Sequence, residues 1–165
     1  GSLMAGRTGV RATVASFLTT PQITLLNQVL VTFPKRINFQ VNSTAGQMSR
    51  AALVVFISSE TETRLAIGGA TNGIKRIDYS VVLQVFQHSL HRNAEDAMVD
   101  FDTLIDNIKT RLRSDHNFGD STGTLVWQGA EPIINATYGE PSTNNDGSTE
   151  TYAELQFDVT EMIHA

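Results

Sequence analysis

The chain has 165 residues, 41% of them hydrophobic and 18% charged, enough to build one buried core and too apolar for a disordered polymer. It contains no cysteine, which excludes disulfides, thiolate metal sites and a cysteine nucleophile. A formal net charge of −5 argues against non-specific nucleic-acid binding, because that affinity comes from Lys and Arg neutralising phosphates.

Gly1-Ser2, extended to Leu3, reads as the remnant of an expression tag. Residues 4–165 then form a single α+β domain, with no membrane span and no signal peptide. Val10, Val14, Phe17 and Leu18 share one face of a short helix over 9–18. Thr20 and Pro21 predict a cap and the first position of a second helical turn. Ile23 to Val31 is densely apolar without a clear period, which suits an interface patch as well as core. Phe33-Pro34 ends it, because the residue before proline is pushed away from helix.

Residues 42–49 read as a loop, and Ala51 to Ser58 as a strand buried on both faces. Glu60 to Thr63 reads as a turn or edge, with a short strand from Arg64 to Ile67. The glycines of 68–73 mark a further loop. The longest strand signal runs from Lys75 to Gln87, with Ile77, Tyr79, Val81, Leu83 and Val85 inward and Phe86 in the outward set. Residues 88–92 link it to the strongest helix signal of the chain.

That helix spans Asn93 to Arg113. Ala94, Ala97, Met98, Phe101, Leu104, Ile105, Ile108 and Leu112 form one apolar stripe. Asn93 is placed to cap it, acidic residues stand at its start and basic ones at its end. A loop over 115–123 leads to strands at 124–128 and 132–138. Pro141 to Glu150 is the most loop-like stretch. The final strand, 152–160, points Ala153, Leu155, Phe157 and Val159 inward. The predicted fold is α+β: a mixed, mainly antiparallel sheet with helices packed on one face.

Chemistry is harder to find. His88 and His91 stand three apart but lack a third ligand nearby, so they read as solvated link residues rather than a metal site. The sequence 68–75, GGATNGIK, lacks the lysine of a phosphate loop at the required place and enters a strand. Asp96, Asp100, Asp102 and Asp106 have no basic residue at a spacing that assigns acid and base roles. They read as a solvated or partner-facing row, with 96 facing 100 and 102 facing 106. Trp127 reads as core or interface. Neither an enzyme site nor a cofactor is expected.

The strand IKRIDYSVVLQVFQHS running directly into the helix NAEDAMVDFDTLIDNIKTRLRSD, then TLVWQG and the closing TYAELQFDVTEMIH, together with the opening VRATVASFLTTPQITLLNQVLVTFP, resembles the tail terminator proteins of long-tailed bacteriophages. The resemblance lies in order and texture across most of the chain. It implies a homo-hexameric ring that caps the tail tube protein, ends tube polymerisation and presents a surface to the head-completion or connector protein. DNA would pass through its lumen without sequence-specific binding. Under that reading some of Asp96, Asp100, Asp102 and Asp106 face the lumen or a neighbouring subunit. The loop at Asn144, Asn145, Asp146 and Gly147 becomes ordered against the tube or a neighbour. A neck or head-completion protein is the alternative within the structural class. A small ligand-binding or enzymatic α+β domain, with an apolar pocket and convergent polar groups, is the alternative outside it.

Overall fold

The computed structural model describes residues 6–66, 74–119, 125–128 and 133–164. Its elements are helix α1 (Gly6–Thr19), strands β1 (Gln28–Leu30), β2 (Ser49–Ala66) and β3 (Ile74–Ser89), and helix α2 (Ala94–Arg113). They are followed by β4 (Leu125–Trp127), β5 (Asn135–Tyr138), β6 (Ser142–Thr143) and β7 (Thr149–His164). Three long strands carry the sheet in the order β2-β3-β7. Short β1 lies parallel on the outer side of β2, and β4, β5 and β6 line up antiparallel along the outer side of β7. The fold is α+β, with a mixed, mostly antiparallel sheet and both helices on one side.

Period-two patterning explains that sidedness. Leu53, Val85 and Ala153 are register partners across β2, β3 and β7, as are Val55, Leu83 and Leu155, and all six are buried. Against this floor α2 lays Ala97, Phe101, Leu104, Ile105, Ile108 and Leu112, and α1 lays Val10, Val14 and Leu18. Trp127 belongs to the same core, 5.1 Å from Phe118 and 5.0 Å from Phe157 between ring centroids. Polar ties then lock the helices in place. Asn107 Nδ2 donates to the Thr24 carbonyl at 3.1 Å, Arg111 Nη1 to that of Phe17 at 3.0 Å, and Arg7 Nη2 to that of Ile57 at 3.1 Å.

Several local expectations are corrected. Pro21 follows a cis bond to Thr20 and lies in a turn, so no second helix starts there. The dense run 23–31 is partly core: Ile23 and Leu26 are buried and Leu25 and Val29 pack against the cluster, while Val31 is exposed. Asn27, also buried, replaces a strand neighbour by accepting Ala51 N–H on its side-chain oxygen at 3.0 Å. Of the two readings of Glu60 to Thr63, turn or edge, the edge holds, because β2 runs on through it paired with β3 after a bulge between Ile57 and Ser59. Asn93 occupies the cap position of α2, yet only its carbonyl is used, accepting from Asp96 N–H at 3.2 Å. Residues 1–5 and the glycine loop 68–73 lie outside the described residues.

Candidate functional site

Three features compete for a functional reading: a cleft on the helix-free face, a hydrogen-bonded cluster at the start of α2, and an exposed acidic row on the same helix.

The cleft arises because the outward side of the sheet is not polar throughout. Phe86 and Tyr152 are register partners on β3 and β7 and sit with ring centroids 4.9 Å apart. The segment after β1 crosses this face. Phe33 meets Phe86 edge-on at 5.7 Å, and Phe39 stacks on His88 at 5.6 Å. Between that segment and the sheet lies a pocket of about 570 Å³ walled by Phe33, Pro34, Ile37 and Phe39 with Phe86 and Tyr152. Lys35 and Arg36 reach it from the crossing segment, Glu140 and Glu150 from the β7 side. Tyr152 donates its hydroxyl to Glu154. Burial first, and then that carboxylate, push its pKa up to about 12, so the phenol stays protonated at neutral pH. It is a donor and a wall of the cleft.

The cluster overturns the expectation that no basic group accompanies the aspartates. Asp100 Oδ2 lies 2.8 Å from His91 Nε2 and 2.6 Å from Ser49 Oγ. The hydroxyls of Ser49 and Ser89 are 2.9 Å apart, and His91 N–H donates to Ser89 Oγ at 3.3 Å. Ser49 has one proton and gives it to the carboxylate, so Ser89 must donate to Ser49. The result is a closed ring of hydrogen bonds joining β2, β3 and α2. Chain spacing hid it, since Ser49 and Asp100 are 51 residues apart. Its order is wrong for nucleophilic catalysis, in which the imidazole stands between hydroxyl and carboxylate. Here the carboxylate stands between them, and neither serine bonds the imidazole. It is a clasp that fixes the start of α2.

This division splits the aspartate row. Asp100 turns inward to the clasp, whereas Asp96, Asp102 and Asp106 are exposed and form no ion pair with a described residue. The facing of 96 and 100 expected from spacing is therefore replaced by an outer row of 96, 102 and 106 around Val99, itself 63% exposed. His88, the other histidine of the suspected pair, lies in β3 with Nδ1 3.7 Å from Glu150. Among the described residues, no group of three metal-ligating side chains comes together.

The Asn144–Gly147 stretch is a built turn between β6 and β7. Asn144 N–H donates to the Ser148 carbonyl at 2.8 Å, and Gly147 closes the turn at φ +87°. Asp146 Oδ1 accepts from Ser148 N–H at 2.9 Å and from Ser148 Oγ at 2.6 Å. These bonds, the hydroxyl's first, hold its carboxyl below the usual range. These bonds all lie within the turn.

Sequence reasoning missed the cleft. Its signal was present in Phe86 and Tyr152, two aromatics on the side the alternation assigns to solvent. No helix among the described residues is long and apolar enough to cross a membrane. No protein-family model matches the chain, and a search of curated proteins finds no relative.

Proposed function

We propose that the chain is a structural ring subunit of a phage tail, capping the tail tube and joining it to the head-completion or connector protein. The observation that carries this reading is the open outer edge of β2, opposite an edge of different build. On one side β1 pairs only with Ala52 to Val54, leaving the outer edge of β2 beyond Val54 without a strand among the described residues. On the other side the edge is made of three short strands. Open edges are templates for pairing with another chain. A subunit with two different edges associates head to tail, which closes into a ring when the rotation permits. The exposed row Asp96, Asp102 and Asp106 supports the same reading, because acidic groups facing a lumen would let DNA pass without gripping it.

The test is solution mass by light scattering across a hundredfold concentration range, with and without purified tail tubes. A mass near six times the 18.0 kDa chain, alone or on tubes, is expected. The pocket supports a second reading, a ligand-binding α+β domain. That reading predicts a persistent monomer or dimer that ignores the tubes, and such a result sinks the ring.

A further inference from the structure

The cleft on the helix-free face is built mainly by the segment after β1 and by residues of β3 and β7, and it reaches the β6 edge at Ser142. Its floor is Phe86 and Tyr152 and its wall is Phe33 and Ile37. Its charges come from different segments. Lys35 and Arg36 belong to the segment crossing from the β1 edge, while Glu140 and Glu150 belong to the β7 side. Neither cation forms an ion pair with a described residue. Lys35 and Arg36 thus line an apolar floor without a charge partner of their own among the described residues, whereas Glu150 is already shared with His88 at 3.7 Å.

The cleft is also open, since Phe33 at its mouth is 60% exposed. Small-molecule sites enclose roughly 70–90% of their ligand, and an aromatic residue so exposed at the mouth favours a longer occupant that continues out of the cleft. Aromatic side chains and arginine are the types that most often carry the binding energy of protein contacts. We propose that the cleft docks a segment of a partner protein, one that lays an apolar or aromatic side chain on Phe86 and Tyr152. An acidic residue of that segment would face Lys35 and Arg36, and a basic one Glu140 and Glu150. The inference stands whether or not the chain forms a ring.

Two blocked tripeptides test it on the isotopically labelled full chain, followed by NMR shift changes at low salt: acetyl-Glu-Trp-Lys-amide and acetyl-Ser-Trp-Ser-amide. The charged peptide is expected to bind about fivefold tighter, the size of one or two solvent-exposed ion pairs. Shifts should centre on Phe33, Phe86 and Tyr152. The exposed double variant K35E/R36E should erase that preference while its thermal midpoint stays near that of the parent. Equal affinity for the two peptides would mean a plain apolar ligand site and overturns the proposal. So does a preference that survives K35E/R36E, or an absence of shifts at the cleft at millimolar peptide. Sedimentation supplies the last arm: a parent that self-associates, dissolved to monomers by K35E/R36E, would make the occupant a second copy and overturn it equally.

Discussion

One face of the sheet is covered by two amphipathic helices and the other by an irregular segment, and the two coverings bury side chains very differently. Under α2, Phe101 is 1% exposed and belongs to the same core cluster as Leu83, Leu104 and Leu155. On the opposite side Phe33 covers Phe86 edge-on yet remains mostly in water, and farther along the same face Phe56 is 44% exposed. The first arrangement is stability, because apolar area removed from water is the dominant favourable contribution to folding. The second leaves aromatic surface unspent, which is what a contact surface requires. Sealing and docking have been allotted to separate faces.

The largest test of that division compares two phenylalanines. Phe101→Ala should cost about 3–5 kcal/mol, the range for emptying a large aromatic site in a closed core. Phe33→Ala should cost less than about 1 kcal/mol, as surface changes usually do. Urea unfolding of both variants decides it, and comparable losses would show that the crossing segment is core after all.

A smaller effect separates the aspartates. Asp100→Ala strips the acceptor from Ser49 and His91, and should cost about 1–3 kcal/mol as the buried serines lose their partner. Asp106→Asn touches an exposed carboxylate and should stay within about 0.5 kcal/mol. If both were neutral by thermal unfolding, the clasp would hold nothing. A large loss from Asp106→Asn would mean that the outer row is not free.

The same contrast explains what the sequence made legible. The stripe of α2 and the alternation in β3 and β7 were readable because each needs only a local period, 3.6 or 2, matched to one apolar environment. The clasp was not readable. Its members come from β2, β3, the link after it and α2, and only tertiary register brings Ser49 opposite Ser89. The turn at 144–147 looked like loop because Asn, Asp and Gly signal a change of direction without saying how tightly it is bonded. The run from Glu60 to Thr63 was legible as turn or edge, and the edge alternative holds: its polar residues suit an edge strand whose partner, β3, supplies the ladder. The cleft was legible only as a breach of alternation at Phe86, since nothing in sequence tells which residues will cross above it.

Alkali should strain both faces from the same onset, with the loss on the open side ending first. Burial raises the pKa of Tyr79 on the helix side, with the bond to Glu161 adding to it, far beyond the ordinary tyrosine value of 10.0. Tyr152 on the open side rises to about 12. In each case the folded value exceeds the unfolded one, so the contribution is complete below pH 10 and is lost as pH climbs through the folded value. Stability measured from pH 9 to pH 12 should therefore fall. Tyr152→Phe should remove the part of that fall that ends near pH 12, and Tyr79→Phe a larger part. A flat profile in the parent would contradict the protonated phenols at both sites.

The smallest effect concerns the turn between β6 and β7, which sharpens the comparison by testing whether the open side contains any self-sufficient structure. Asp146 has its carboxyl held below the ordinary 3.8 by the hydroxyl and amide of Ser148. A depressed carboxylate stabilises the fold above its unfolded value, and that contribution disappears as pH drops below 3.8 through the folded value. Asp146→Asn keeps an acceptor for Ser148 but loses the charge, so it should be slightly less stable than the parent at pH 7. The two should converge as the solution is acidified into that window. A gap that persists unchanged to low pH would assign the loss to the shape of the turn rather than to its charge. A gap that appears only when tail tubes are present would return the turn to the role of a contact loop.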